Sequence, residues 1–326
     1  MVRGMLAAAA IRTNADDPLS GLAIGDRPAP DAPSGWVTVD VKAAALNHHD
    51  LWSLRGVGLP SDRLPMILGC DAAGVDADGN EVVVHSVIGN PAAGGGDETL
   101  DPGRSLLSEK YQGTFAEQVV VPKRNLVPKP AALSWEQAAC LPTAWLTAYR
   151  MLFTRAAARP GDTVLVQGAG GGVSTALLLI GRAAGLRMWV TSRDETKRKH
   201  ALDLGADAAF ESGARLPGRV DAVMETVGAA TWSHSLKSLR PGGVLVVAGA
   251  TSGFDPPAEL NRVFFLQLSI VGSTMGTLDE LQRLVQFCEV TGVRPPIDEV
   301  VPLSEARAGF ARMAEGEQFG KIVFTV

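Results

Sequence analysis

The sequence predicts an α/β fold in two parts: a β-rich first domain, then a doubly wound parallel-sheet domain. Three observations carry this. Up to about residue 127, short β-branched runs alternate with turns rich in Gly, Pro and Asp. From about residue 130, continuous apolar runs alternate with stretches of helical period, the pattern of a parallel sheet covered on both faces. One of those apolar runs, Val164–Val166, leads into a glycine-rich turn that opens a helix. A chain of 326 residues holds two domains at roughly 100–200 residues each.

Met5–Ile11 is apolar, short and soon followed by Arg12 and a Pro-rich stretch, so it reads as an edge strand and not as a signal peptide. Trp36–Val41, Glu81–Val87 and Phe115–Val121 read as strands, with Asp78-Gly79-Asn80 as a turn between two of them. Asn90–Lys110, with three consecutive glycines, reads as a loop. Ser134 with Gln137 three positions on is a capping box that starts a helix. Thr163–Gln167 is a strand. Val173, Ala176, Leu177, Ile180 and Ala184 recur at helical spacing, and Gly185 ends that helix. Strand Arg187–Thr191, helix Glu195–Leu204, and strands Val220–Thr226, Gly243–Ala248 and Leu268–Gly272 follow. Helix Leu278–Val290 and a closing strand Lys321–Val326 complete the chain.

Composition removes several classes of function. Hydrophobic residues make up 46% and charged residues 20%, as in an ordinary globular protein. The formal net charge is −5 and no long basic run occurs, which argues against nucleic acid and anionic lipid as partners. No apolar stretch approaches the roughly 18 residues of a membrane span. Three scattered cysteines, Cys70, Cys140 and Cys288, exclude a disulfide framework and a four-cysteine metal site, and point to a reducing, cytoplasmic setting.

The sharpest local signal is Gln167-Gly168-Ala169-Gly170-Gly171-Gly172-Val173. Glycines allow a tight turn and a close approach of backbone N–H groups to a pyrophosphate, which the helix N-terminus then favours. Binders of NAD usually place an acidic residue about 20 positions beyond the glycines. Here the second strand ends in Ser192-Arg193 with Lys197 close behind, a hydroxyl and two cations suited to a 2′-phosphate. Asp194 and Glu195 come later, where they start the next helix. The expected cofactor is NADP(H).

With that turn, further segments resemble the medium-chain dehydrogenase/reductase superfamily, in its zinc-free quinone-oxidoreductase-like branch. They are Asn47-His48-His49-Asp50, Leu68-Gly69-Cys70-Asp71-Ala72-Ala73-Gly74, Gly113-Thr114-Phe115-Ala116-Glu117, Leu146-Thr147-Ala148-Tyr149, Pro160-Gly161-Asp162, Leu204-Gly205-Ala206-Asp207 and Gly320-Lys321-Ile322-Val323. The resemblance implies a GroES-like catalytic domain over 1–127, a Rossmann NADP(H)-binding domain over 128–277, and a segment 278–326 that returns to the first domain. It implies hydride transfer in a cleft between the domains. By position, Gly168, Gly171, Gly172, Val173, Ser192, Arg193 and Lys197 would bind the dinucleotide. Val227, Gly249, Ala250, Thr251, Ser273, Thr274 and Met275 would lie near ribose and nicotinamide, with Lys321 added to the same set. The branch's third glycine is Ser174 here. The branch also commonly forms homodimers, and Leu268–Gly272 is the candidate edge strand.

Many members hold a catalytic zinc on a Cys, a His within Gly-His-Glu, and a later Cys or Asp. Those positions read Asn47, Cys70 within Gly69-Cys70-Asp71, and Thr143. Catalytic zinc needs three protein ligands and an open position. His48 and His49 are adjacent and would point to opposite faces of an extended chain. The lobe that carries a structural zinc corresponds to Ser86–Tyr111, which has no cysteine. The expectation is a metal-free protein, with Cys70 a small buried residue near the substrate pocket.

Metal-free relatives of this branch reduce quinones or activated alkenes. A donor near the carbonyl oxygen would stabilise the charge that develops there. Asn47, Asp50, His48 and His49 are the candidate catalytic residues, a histidine being able to supply a proton near neutral pH. The tyrosine many relatives carry two positions after the aspartate is Trp52 here, which is expected to shape a flat apolar pocket. Two alternatives stand beside this reading: a zinc alcohol dehydrogenase with unconventional ligands, and a dinucleotide-binding protein with little catalysis.

Overall fold

The computed structural model describes residues 4–326 and divides into two compact units. One runs through Leu146 and resumes at Met275, and the other is the continuous stretch Thr147–Thr274.

The discontinuous unit is built on a seven-stranded sheet. Its strands lie in the order Leu126–Pro128, Glu81–Val84, Asp71–Asp76, Trp36–Ala45, Lys321–Thr325 and Ile297–Pro302, and Gln118–Pro122 also pairs with Trp36–Ala45. The closing strand is therefore internal: Val323–Thr325 pairs antiparallel with Ala43–Ala45, and the same strand runs parallel to Ile297–Pro302. A separate three-stranded sheet joins Leu22–Pro28, Gly4–Ala10 and Met66–Ile67. Under the large sheet, Phe115 meets Phe324 edge-on at 5.0 Å and Phe310 at 6.0 Å. Helix Ala306–Glu315 reaches this cluster through Gly309, where an added Cβ would stand 2.8 Å from the Phe324 ring.

The helix that Ser134 caps, Trp135–Ala139, has its Gln137 capping box in place. It packs on Trp36–Ala45 and Asp71–Asp76 and so belongs to the first unit. This moves the expected boundary from residue 127 to Leu146, and Met275 to the first unit as well. The capped helix is local information; the sheet it covers is not. The expected strand Glu81–Val87 stops at Val84, and Val87–Ile88 pairs separately with Ser105–Leu106. The Asn90–Lys110 stretch is fixed by its carboxylates. Asp101 accepts from the N–H groups of Asn90 and Gly103 at 2.7 and 2.8 Å, and Glu98 Oε1 accepts from Leu278 N at 2.6 Å, at the start of helix Leu278–Thr291.

The second unit is a six-stranded parallel sheet in the order Ala208–Phe210, Arg187–Thr191, Thr163–Gln167, Val220–Glu225, Leu239–Val247, Ser269–Gly272. Counted along the chain this is 3-2-1-4-5-6, the doubly wound arrangement. The order reverses between Thr163–Gln167 and Val220–Glu225, and ligands of such sheets bind at the carboxyl ends of the strands at that point. Among the described residues no helix is long and apolar enough to cross a membrane.

Candidate active site

In the parallel-sheet unit, Thr163–Gln167 ends at Gly168, whose φ of +82° requires a residue without a Cβ. Gly170 repeats this at +92°, and Gly171 caps helix Gly172–Ala183 with no side chain bonded to its first turn. The N–H groups of that turn, Val173 among them, are left for an anion. Ser174, in place of a third glycine, folds its hydroxyl back onto Gly171 O at 2.9 Å and leaves the turn open.

Beyond the second strand, Ser192 is buried and its Oγ accepts from Asp194 N at 3.2 Å. Asp194 caps the next helix through Lys197 N, and Glu195 lies in its first turn. Arg193 is exposed, with no hydrogen-bond or ion-pair partner among the described residues. The sequence reading missed Arg198, whose guanidinium holds Ser192 O at 2.7 Å. It also missed a buried polar network beneath the turn. Gln167 accepts from Thr191 Oγ1 at 2.6 Å and donates to Ser235 Oγ at 3.0 Å. Glu225, fully buried, accepts from Val227 N, Gly228 N, Thr231 Oγ1 and Ser235 Oγ at 2.6–3.0 Å. The one sequence signal was a charge at the end of an apolar strand. Gly249, Ala250 and Thr251 follow strand Leu239–Val247, where Thr251 N reaches Thr226 O at 3.4 Å. Ser273 and Thr274 follow the edge strand, and Ser273 Oγ is buried with no partner among the described residues.

In the discontinuous unit, Asn47 opens helix His48–Leu54. Asp50 closes the reciprocal cap: its Oδ2 accepts from Asn47 N at 2.9 Å and its Oδ1 from Gly69 N at 3.0 Å. Asp50 thus braces the start of this helix against the Gly69 loop. Asn47 is likewise committed. Its Nδ2 donates to Asp71 Oδ2 at 2.8 Å and to Ala45 O at 3.2 Å, and its Oδ1 accepts from Lys321 Nζ at 2.6 Å. Lys321, 2% exposed, also donates to Leu46 O at 2.7 Å and lies 3.3 Å from Asp71 Oδ2. Its three protons are thereby directed at protein oxygens. Burial pushes the Asp71 carboxyl up, while the Lys321 ammonium, the Asn47 amide and the Thr143 hydroxyl pull it back.

His48 and His49 occupy the first helical turn, not extended chain, because Asn47 caps there. Successive residues on a helix diverge by about 100°, and the two rings meet different surroundings. His48 is exposed at its edge; crowding by protein, then the charges of Lys321 and Arg55, lower its pKa. His49 Nε2 lies 3.1 Å from Glu109 Oε1, and its Nδ1 is 3.4 Å from Cys70 Sγ and 4.0 Å from Asp50 Oδ1. Burial opposes charge on this ring. Cys70, Asp50 and Glu109 outweigh it and raise the pKa above the usual imidazole value. Cys70 is fully buried and its thiol donates to Leu107 O at 3.2 Å; burial pushes its pKa up despite His49. Trp52 is half-buried with the Arg55 guanidinium 5.1 Å from its ring centroid. Glu109, absent from the sequence reading, lies 60 positions from its partner.

Residues 33–131 match the alcohol dehydrogenase GroES-like domain family, and residues 172–289 match the zinc-binding dehydrogenase family. A solved NAD-dependent alcohol dehydrogenase is 35% identical, with a TM-score of 0.91 over 99% of this chain and 100% of that one. The chain belongs to the medium-chain dehydrogenase/reductase superfamily and is an oxidoreductase of that type. Acryloyl-coenzyme A reductase of Metallosphaera sedula is 29% identical over 91% of this chain and 94% of that protein. The structure of a 2-octenoyl-CoA carboxylase reductase in complex with NADP and 2-octenoyl-CoA is 25% identical, with a TM-score of 0.90 over 99% of this chain and 87% of that one.

The zinc in one family's name is tested by the donors present. Of the three expected ligand positions only the second carries ligand-type atoms, the Cys70 thiol, which donates to Leu107 O, and the neighbouring Asp71 carboxylate, which Asn47 and Lys321 hold. Asn47 is closed by Asp71 and Lys321, and the Lys321 ammonium already supplies a cation there. Asn47, Cys70 and Thr143 do not fit a catalytic zinc. The dinucleotide fits better: an uncapped helix N-terminus, two left-handed glycines, an orphaned Ser273 hydroxyl and an unpaired Arg193 await an anionic, polar group.

Proposed function

We propose that the protein is an NADPH-dependent reductase of α,β-unsaturated carbonyl compounds that works without metal. An enoyl thioester is the substrate class that several relatives' names carry, and a quinone is the second electrophile. The observation that carries this is an Asn47–Asp71–Lys321 hydrogen-bond network at the ligand positions, beside His49, whose pKa its neighbours raise. Two neighbouring titratable groups with pKa values pushed in opposite directions assign an acid: His49, raised, is the proton donor, and His48, lowered, is not.

Bound NADPH supplies the hydride for the carbon β to the carbonyl. The Gly168–Val173 turn, Ser192, Arg193 and Lys197 bind the dinucleotide, with Val227, Gly249–Thr251 and Ser273–Thr274 along its ribose and nicotinamide. His49 provides the proton that balances the reaction, and Glu109, partly exposed, orients the ring at Nε2 and passes a replacement from solvent. Asp50 and Lys321 fix the start of the helix on which His49 stands. Trp52 gives the electrophile an apolar wall.

NADPH oxidation measured with crotonyl-CoA, with a 1,4-benzoquinone, and in reverse with primary alcohols and NADP⁺ tests the reading. Turnover of the enoyl thioester or quinone is expected. Robust alcohol oxidation without either would overturn it. That outcome belongs to a second reading, a metal-dependent alcohol dehydrogenase, which has one observation in its favour: ligand-type atoms of His49, Asp50 and Cys70 lie within 4.8 Å of one another.

A further inference from the structure

A cavity of about 550 Å³ opens in the discontinuous unit on residues that no part of the reaction uses. Small-molecule sites run from roughly 300 to 1,000 Å³ and are mostly apolar, with a few polar groups that fix orientation. This cavity has that make-up. Trp36 and Tyr111 form one wall, their ring centroids 4.9 Å apart and tilted by 50°. Pro65 and Ile67 extend the apolar surface.

Two cations line it as well. Lys110 is exposed, with Nζ 5.5 Å from the Tyr111 ring centroid. Arg27 is half-buried and lines the cavity, and its guanidinium makes no hydrogen bond or ion pair among the described residues. The lining holds one carboxylate, Asp31, which is exposed and makes no ion pair to Arg27.

We propose that this cavity binds a small planar carboxylate, an aromatic acid whose ring lies against Trp36 and Tyr111 and whose carboxylate accepts from Arg27. A guanidinium fork matches a carboxylate in a two-point geometry, and its hydrogen bonds are the strong, charge-assisted kind. The flat apolar walls suit a ring more than a flexible chain, which would lose rotamer freedom on binding. The inference is independent of the reaction assigned above, since none of these residues touches the His49 or Asn47 networks through its side chain.

The test is calorimetric titration of 2-naphthoate into the full chain with excess NADP⁺, so that a dinucleotide site does not compete. One equivalent is expected to bind. Arg27→Gln should weaken it by about 10–100-fold, the worth of one charge-assisted hydrogen bond. The neutral analogue 2-naphthylmethanol should bind the unmodified protein weaker by a similar factor. Ala29→Trp, which places an indole in the cavity and leaves Arg27 intact, should abolish binding. No binding of 2-naphthoate up to millimolar concentration, equal binding of the neutral alcohol, or binding that survives Ala29→Trp would overturn the proposal. The comparison of the two ligands needs no variant, so a substitution that fails to fold does not remove the test.

Discussion

Lys321 Nζ lies 2.6 Å from Asn47 Oδ1, and so ties the closing strand to a helix cap 274 positions earlier. The same ammonium neutralises Asp71, which is fully buried. Remove it and a carboxylate and an amide oxygen are stranded inside the protein. Lys321→Met should therefore cost about 3–5 kcal/mol, the usual result of breaking one side of a buried pair. The double variant with Asp71→Asn should recover part of that loss. Chemical denaturation of the three proteins measures it; equal stability of the single variant and the parent would contradict the network.

Cofactor choice should follow Arg193, the exposed cation past the second strand. NADPH should bind more tightly than NADH. Arg193→Ala should weaken NADPH by about 10–100-fold and leave NADH nearly unchanged. Fluorescence titration with both nucleotides gives the answer, and equal affinities in the parent protein would show that no 2′-phosphate is recognised.

The pH profile should report His49. Its folded pKa is raised, so the active, protonated form persists to higher pH and is lost as pH climbs through that raised value. The rate of the reductive step should fall on the alkaline side. His49→Gln should lower kcat and kcat/KM together and flatten that limb. His48→Gln should leave it in place. Glu109→Gln removes one of the carboxylates that sustain the imidazolium, and should move the alkaline limb towards neutrality without abolishing the rate. A stability term has the same sign: it is complete below the ordinary imidazole pKa and disappears as pH rises through the folded one.

Purified protein should carry no stoichiometric zinc. A chelator should change neither the rate nor the melting temperature. Elemental analysis that found one zinc per chain, lost in Cys70→Ser, would transfer the case to the His49–Asp50–Cys70 cluster.

The outer strand of the parallel sheet, Ser269–Gly272, presents Ile270 at 42% exposure, and Phe264 and Phe265 stand out at 71% and 79% on the preceding helix, Leu260–Phe265. An apolar open edge invites pairing about a two-fold axis. Light scattering should give twice the 34.1 kDa of the chain, and Ile270→Lys should shift it to the monomer. A single-chain mass across a wide concentration range would reject the dimer.

What was legible in the sequence was local. The glycine turn, the helix after it and the apolar strands beside it each declare themselves within a few residues, because backbone geometry and period are short-range properties. Asp194 as a cap could be read the same way. The roles of Asn47, Asp50 and Lys321 could not. Asn47 looks like a free donor until Asp71 and Lys321 take its amide, and those partners sit 24 and 274 positions away. His48 and His49 are indistinguishable as letters; Glu109 and Lys321 separate them, and only folding brings either into reach. The compact unit runs past the expected boundary at 127 to Leu146 for the same reason, since the sheet beneath Trp135–Ala139 is assembled from distant strands.

The internal position of Lys321–Thr325 sets an order of events during synthesis. The ribosome delivers Thr147–Thr274 as one uninterrupted stretch, so that unit can close as soon as it emerges. The earlier-made half must wait. At about 5–20 residues per second, roughly 9–35 s separate the appearance of Thr147 from that of Lys321. Through that interval the Ala43–Ala45 edge has no neighbour and Asp71 has no counter-charge, although both were made long before. The nascent chain is then a finished domain flanked by an unsealed one, the form most in need of a chaperone.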